Sequence, residues 1–170
     1  MSLLIVSCSL NPNSKSRELA RLLRLHYVHE ECPCEFVDLA DYTLPLCDGS
    51  GTYEHPQVQL LLEKTHKADG IIMALPIYNF GINAAAKNFI ELVGNSLEGK
   101  VVGFICAAGG QRSYMSVMHL SNSLMLDFRC LIVPNFVYLE PTVDISDSDI
   151  HKRLHKLLTS VIALKSVWKP

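Results

Sequence analysis

The sequence predicts a three-layer α/β/α domain built around a doubly wound sheet of five parallel strands. Short apolar runs alternate along the chain with longer segments that have the period of an amphipathic helix. One run, Gly70–Leu75, is apolar almost throughout, as expected for a strand that helices cover on both faces. A chain of 170 residues suits one such domain and is too short for two ordinary ones. We therefore expect residues 1–170 to form a single domain with strand order 2-1-3-4-5, the commonest arrangement at this size.

The first half of the chain supplies two strands and two helices. Leu3–Ser7 reads as the first strand and leads into a helix over Ser14–Glu30, where apolar residues recur at helical spacing. Cys34–Leu39 is the second strand. The segment Asp41–Pro56 is rich in Gly, Pro and Asp, so we predict a long loop before a helix near Val58–Lys67.

The second half repeats the alternation of strand and helix. The expected elements are strand Gly70–Leu75, helix Ile82–Val93, strand Lys100–Ala107, helix Tyr114–Met125 and strand-like residues within Cys130–Leu139. Ser146 with Asp149 three residues later resembles a capping box and predicts the start of a final helix. Its apolar stripe runs from Ile150 to Ile162.

Composition narrows the classes of function. Hydrophobic residues make up 49% of the chain and the formal net charge is −2, which favours neither disorder nor a nucleic-acid partner bound by bulk charge. No apolar stretch approaches the roughly 20 residues that span a bilayer. The chain opens on the apolar run Leu3–Val6 without a basic leader, so we expect a cytoplasmic protein with a small-molecule partner and no membrane.

The six cysteines show no CxxC spacing. Cys8, Cys106 and Cys130 lie in or beside apolar runs, so we expect buried thiols. Cys32 and Cys34 flank a proline, and two thiols so placed are hard to close into an unstrained disulfide. No metal site is predicted.

Three loops follow predicted strands and carry the candidate chemistry. The first loop, Ser7–Arg17, is rich in hydroxyl and amide groups and turns directly into a helix N-terminus. A phosphate suits that place, because the first helical amides lack partners and the helix dipole favours an anion. Lys15 and Arg17 add positive charge nearby. The alternative is that Ser9, Asn13 and Ser14 merely cap the helix.

Spacing argues against other phosphate loops here. Neither GxxxxGK[ST] nor GxGxxG lies between the first strand and the first helix, so nucleoside triphosphate hydrolysis is not expected. A small tyrosine phosphatase would need an arginine six positions after Cys8, where the chain has Ser14. The first arginine, Arg17, comes three residues too late.

The second and third loops add apolar surface and backbone donors. The second loop, Pro76–Gly81, places Tyr78 and Phe80 where a flat heterocycle could lie against them, and its glycine would let backbone approach closely. The alternative is a turn whose aromatic rings pack on the core. The third loop, Ala107–Tyr114, contains a glycine pair whose amides could face an electron-rich ring edge. The alternative is a plain turn with Ser113 as a helix cap.

Together the three loops resemble the NADPH-dependent FMN reductase family of flavodoxin-like proteins. The family's phosphate loop, GSLRxxSxSR, is similar to Cys8–Arg17, matching at Ser9, Leu10, Ser14, Ser16 and Arg17. Its second motif, PxYNxxxxxxLKNxID, resembles the chain at Pro76, Tyr78, Asn79, Lys87, Asn88, Ile90 and Glu91, and its later glycine pair resembles Gly109-Gly110. Asn11 replaces the usual arginine, and Asn83 stands where proline is common at the start of the third helix.

The resemblance implies a flavodoxin-like fold that binds FMN. In the first loop it assigns cofactor-binding residues at Ser9, Asn11, Asn13, Ser14, Lys15 and Ser16, which would bind the phosphate. In the second loop Pro76, Ile77, Tyr78, Asn79 and Phe80 would line the isoalloxazine, and in the third Ala108, Gly109 and Gly110 would meet its pyrimidine edge.

The resemblance implies that the protein is an NAD(P)H-dependent flavoenzyme and that it forms a homo-oligomer. Hydride passes from NADPH or NADH to the flavin and on to a quinone, azo compound, metal ion or free flavin. No catalytic side chain is implied, because the protein contributes binding, orientation and tuning of the ring. The alternatives are an electron carrier serving protein partners, which a net charge of only −2 disfavours, and an interaction module without cofactor.

Overall fold

A computed structural model describes residues 2–27, 33–110 and 113–168. Its strands are β1 (Leu3–Ser7), β2 (Cys34–Asp38), β3 (Gly70–Tyr78), β4 (Gly81–Ile82), β5 (Val101–Ala108), β6 (Leu131–Ile132) and β7 (Val137–Leu139). They form one sheet in the order β2-β1-β3-β5-β6, in which β7 also pairs with β5. All of these pairs are parallel, and only the short β4 runs antiparallel, against β3. The predicted doubly wound order is confirmed.

The sheet has seven strands where five were predicted. The predicted fifth strand is divided into β6 and β7, both beside β5, and Pro134 lies between them. Proline lacks the N–H that a continuous ladder needs, which accounts for the break. The other addition, β4, is the return strand of a hairpin formed by the second loop.

β3 extends through Pro76 to Tyr78, three residues beyond its predicted end at Leu75. β1 stops at Ser7, opposite Ala74, and on that side β4 pairs with β3 at Ile77 and Tyr78, so Pro76 lies between the two pairings. The Ala74 carbonyl accepts from Cys8 N–H (2.9 Å), and Pro76, two residues on, faces the same edge. Because no neighbouring strand needs a hydrogen bond from residue 76 at that edge, the strand tolerates a proline, which has no N–H to donate.

Within the described ranges, five α-helices complete the layers. They are α1 (Lys15–Tyr27), α2 (Pro56–Lys67), α3 (Ala84–Val93), α4 (Met118–Phe128) and α5 (Ser148–Val167). The predicted end of the first helix, at residues 28–30, lies outside the described residues. The predicted fourth helix begins with a 3₁₀ turn at Tyr114–Val117. The predicted capping box is wrong: Asp147, not Ser146, caps α5 by accepting from Asp149 N–H (2.8 Å), since the Ser146 hydroxyl donates to Asp144.

The sheet separates two apolar cores. On one face Phe89 and Phe104 lie in a cluster beneath α2, α3 and α4, and on the other Leu19 and Leu157 lie in a cluster beneath α1 and α5. β5 and α5 approach so closely that a Cβ at Gly103 would lie 2.9 Å from Leu157 Cδ1. No described helix has both the length and the apolar character needed to cross a bilayer.

Three strands bring the candidate loops to one edge of the sheet. β1 and β3 are adjacent and parallel, as are β3 and β5, so their carboxyl ends point the same way. The winding reverses between β1 and β3, which is where ligands bind in open sheets of this kind.

Candidate functional site

The first loop is organised by Ser14, which stands immediately before α1. Its Oγ accepts from the N–H of Arg17 (3.2 Å) and its carbonyl accepts from Glu18 N–H (3.1 Å), so Ser14 is the N-cap. Its hydroxyl also lies 3.0 Å from that of Ser16, and both side chains are buried. Ser14 therefore caps the helix, and the cap leaves a pair of hydroxyls fixed at the start of α1.

Arg17 faces into the protein, which corrects the expectation that it adds charge beside a phosphate. Its Nη2 donates to the Ser9 carbonyl (2.6 Å) and its Nη1 to the Asn11 carbonyl (2.6 Å). Its Nε lies 2.5 Å from Asp38 Oδ2, and both side chains are only 6% exposed. Arg17 thus draws the loop's carbonyls towards the interior and is charge-balanced by Asp38 at the end of β2.

Asn11 and Asn13 shape the outer part of the first loop. Asn11 Oδ1 accepts from the N–H of Asn13 (3.0 Å), and the N–H of Asn11 is directed at Ser9 Oγ (3.3 Å). These are local turns in which short polar side chains bind neighbouring backbone. Asn11, which replaces the family's arginine, is therefore part of the loop's own turn.

Asn83 anchors the beginning of the same loop from a distance. Its Nδ2 donates to the Cys8 carbonyl (2.6 Å) across 75 residues of sequence. The side chain is buried, and its Oδ1 has no hydrogen-bond partner among the described residues. At the N-terminus of α3 the backbone of Asn83 has the extended conformation of a cap without using its side chain as one.

The second loop forms a two-residue hairpin turn with a strained backbone. Asn79 and Phe80 both have positive φ, 50° and 61°, as the turn between β3 and β4 requires. A Cβ at Gly81 would meet only Tyr78 O, at 3.8 Å, so this glycine is not needed for a close approach. Tyr78 is 50% and Phe80 71% exposed, so the alternative that these rings pack on the core is wrong.

The third loop follows β5 and presents backbone without side chains. A Cβ at Gly109 or Gly110 would meet no atom of the described residues within 4 Å, so both glycines border open space there. The Gly110 carbonyl accepts from the hydroxyl of Tyr138 on β7 (2.9 Å). Gln111 and Arg112, which belong to this loop, lie outside the described residues.

The three loops enclose two adjoining cavities. One, of about 260 Å³, lies over the N-terminus of α1 between the first and third loops, and the other, of about 870 Å³, lies between the second and third. Tyr78, Ala107 and Gly109 line both, so the cavities form one cleft. Every predicted site residue lines it: Ser9, Asn11, Asn13, Ser14, Lys15, Ser16, Pro76, Ile77, Tyr78, Asn79, Phe80, Ala108, Gly109 and Gly110.

Sequence reasoning missed Ala107, Ser113 and Pro141 as lining residues. Ser113 belongs to the third loop but was considered only as a helix cap. Pro141 follows β7, and its carbonyl lies 3.5 Å from Lys15 Nζ, an approach between distant segments that no local motif encodes. Among the described lining residues, Lys15 is the one charged side chain, and it is exposed.

The structure also removes the phosphatase alternative. Cys8 is fully buried, and burial, assisted by nearby Asp38, raises the pKa of its thiol far above the usual value. A nucleophilic cysteine needs a lowered pKa and an exposed thiol. Cys106 and Cys130 are also buried as predicted, while Cys32 lies outside the described residues. The described residues contain no group of three side chains suited to a metal ion.

Comparison with known proteins identifies the family. The sequence model of the NADPH-dependent FMN reductases matches residues 1–143. The chain belongs to this family. The match covers all three loops that line the cleft and ends just beyond Pro141.

Two named relatives are similar to this chain in sequence, and one solved structure is similar to it in fold. The chain is 25% identical to an NAD(P)H-dependent FAD/FMN reductase of Geobacillus thermodenitrificans over 139 residues, 78% of this chain and 75% of that protein. It is 31% identical to an FMN-dependent NADPH-azoreductase of Staphylococcus aureus over 123 residues, 69% of this chain and 65% of the other. The apo structure of an NADH:FMN oxidoreductase superposes with a TM-score of 0.80 at 17% identity, covering 99% of this chain and 90% of that one, which supports the shared fold.

Proposed function

We propose that residues 1–170 form one FMN-binding domain that oxidises NAD(P)H and passes the electrons to a small acceptor. The observation that carries the proposal is the cleft itself. It joins a polar pocket over a helix N-terminus to a larger pocket lined by aromatic side chains and glycine backbone, at the switch point of the sheet. FMN has the same division into a phosphate end and a flat ring.

The smaller cavity suits the phosphate. The unpartnered amides at the start of α1 favour an anion, and the hydroxyls of Ser14 and Ser16 are fixed beside them. Arg17 and Asn83 would act by holding the loop in shape, because both bind its carbonyls from behind. Lys15 would supply the single positive side chain.

The larger cavity suits the isoalloxazine. Tyr78 and Phe80 expose apolar surface that a flat ring system would cover. The glycine pair leaves room for a ring edge, since a Cβ at either position would project into open space. Backbone N–H groups at this edge would stabilise negative charge on the ring.

FMN held in the cleft would supply the redox chemistry, the passage of electrons from NADPH or NADH to a quinone, azo compound, metal ion or free flavin. The residues of the cleft would bind and orient both partners. We assign no acid or base among them. The relatives named as a flavin reductase and an azoreductase support a small acceptor.

We further propose a homodimer or a homotetramer in the cytoplasm. Four exposed apolar side chains lie near one another in the sequence, on the 3₁₀ turn before α4 and on α4 itself. They are Met115, Met118, Met125 and Leu126. A second copy of the chain would cover such a surface. The described cysteines are all free thiols, which supports a reducing compartment.

Reconstitution with FMN tests the proposal. Purified protein mixed with FMN and desalted should be yellow and retain FMN in equal amount, and it should oxidise NADPH or NADH when a quinone, an azo dye or free FMN is supplied. Retention of FMN without turnover with any of these acceptors would favour the electron carrier. A colourless protein after reconstitution would contradict the whole proposal and favour the module without cofactor.

A further inference from the structure

A buried tyrosine beneath the third loop has no part in the site as described so far. Tyr138 lies on β7, beside Cys106 of β5, and is 4% exposed. Its ring lies 5.6 Å from that of Tyr114, which in turn stacks on Phe136 at 4.8 Å. A phenylalanine would fill this space equally well, so packing alone does not explain the hydroxyl.

Within the described residues, the hydroxyl of Tyr138 contacts polar groups of the third loop alone. It donates to the Gly110 carbonyl (2.9 Å) and lies 2.5 Å from the hydroxyl of Ser113, which itself approaches the same carbonyl at 3.4 Å. Burying a phenolic hydroxyl is costly unless it is hydrogen-bonded. Among the described residues, Gly110 and Ser113 of the third loop meet that requirement.

The glycine pair makes this anchor necessary. Glycine backbone has wide conformational freedom, and Gly109 and Gly110 have no side chains whose packing could hold the loop in place. The register of β5 with β3, which pairs Ala108 with Ile77, directs the N–H of Gly109 at the Ile77 carbonyl. Beyond that ladder, the hydroxyls of Tyr138 and Ser113 are the polar contacts found on Gly110 among the described residues.

We propose that Tyr138 is a positioning residue that, together with Ser113, holds the Gly110 carbonyl against the core and so directs the N–H group of Gly110 towards the pyrimidine edge of FMN. This inference rests on the proposed function. Reduced FMN carries more negative charge at that edge than oxidised FMN. Preorganised donors stabilise the more negative form preferentially, so Tyr138 raises the affinity for reduced flavin more than that for oxidised flavin.

The variant Y138F tests the inference, because it keeps the ring and removes the hydroxyl. We expect its affinity for oxidised FMN to fall about threefold and that for reduced FMN about thirtyfold, in line with the loss of one buried hydrogen bond near a charge. A tenfold difference between the two corresponds to a two-electron midpoint potential about 30 mV more negative than that of the wild type. Riboflavin, which lacks the phosphate, should lose affinity by the same factor as FMN.

The matched control is Y114F. Tyr114 belongs to the same aromatic cluster, but its hydroxyl has no hydrogen-bond partner among the described residues, so its loss should leave affinity and potential unchanged. Affinities are measured by flavin fluorescence quenching on the apoprotein, and potentials by equilibration with a reference dye. Should Y138F not fold, S113A makes the same test and should shift the potential in the same direction.

The results separate this inference from the function on which it depends. Wild-type protein that binds no flavin would overturn both. Wild-type protein that binds FMN, with Y138F or S113A at the wild-type potential, would overturn only the role of Tyr138. Weakening of FMN without weakening of riboflavin would also overturn it, since the effect would then lie at the phosphate.

Discussion

Replacing Arg17 by methionine should destabilise the fold and weaken FMN binding together. Methionine keeps the length and apolar character of the side chain but removes the guanidinium that pairs with Asp38. Both partners are almost fully buried, so the change leaves an uncompensated carboxylate in the interior. Breaking a buried pair in this way costs about 3–5 kcal/mol, a large part of the 5–15 kcal/mol that stabilises a typical domain.

The same change releases the first loop. The carbonyls of Ser9 and Asn11 lose their charged donor, so the loop is no longer held with its carbonyls inward. Because this loop is proposed to bind only the phosphate, affinity for FMN should fall roughly tenfold or more while that for riboflavin changes little. Urea unfolding followed by circular dichroism measures the stability, and fluorescence quenching measures the two affinities.

Controls distinguish the buried charge from the lost contacts. Combining R17M with D38N removes the unpaired carboxylate, so the double variant should recover part of the stability that R17M loses but little of the FMN affinity. R17K keeps the charge without the planar fork and should lie between R17M and wild type. An R17M protein within about 1 kcal/mol of the wild-type free energy of unfolding would refute the assigned role of the ion pair.

Three further predictions follow from single features of the site. Replacing both Ser14 and Ser16 by alanine should weaken FMN about tenfold or more relative to riboflavin, and equal weakening of both ligands in fluorescence titrations would contradict the phosphate assignment. Phe80→Gly should raise the stability of the apoprotein by about 0.5–1 kcal/mol, because glycine after asparagine suits this turn, yet weaken flavin binding, and a lower melting temperature would argue against strain at this position. Burial raises the pKa of Cys106 to about 12, so at pH 8 its thiol stays protonated and unreactive in the folded protein, whereas the partly exposed Cys47 should react with iodoacetamide, as peptide mass mapping will show; early labelling of Cys106 would contradict the buried assignment.

The sequence was sufficient to predict that the three candidate loops meet at one edge of the sheet, because the relevant signals are local. Runs of apolar residues mark the strands, and the polar, aromatic and glycine-rich segments that follow them mark the loops. Parallel strands place all their carboxyl ends at one edge, so three loops distant in sequence meet without any further information. The cleft lined by Ser14, Tyr78 and Gly109 is the result.

Side-chain direction could not be predicted in the same way. Arg17 was expected to add positive charge beside the phosphate because it stands at a helix N-terminus, but its partner, Asp38, lies 21 residues away at the end of β2. Tyr138 carried no signal at all, since a tyrosine in an apolar strand is ordinary until the loop above it is placed. Pro134 was the one sign in the sequence that the predicted fifth strand is broken. Whether a proline interrupts a strand depends on whether a neighbouring strand needs a hydrogen bond from that position.

The two departures from the family pattern have different physical consequences. Asn83 keeps a structural role, since it ties the first loop to α3 through the Cys8 carbonyl. Asn11 does not replace the charge of the usual arginine, because its side chain is used in the loop's own turn and Arg17 is neutralised by Asp38. In the proposed binding mode, phosphate is therefore recognised by neutral hydroxyls, helix amides and the exposed Lys15. Donors of this kind discriminate by geometry more than by charge, so the shape that Arg17 and Asn83 impose on the loop matters more here than it would beside a fixed arginine.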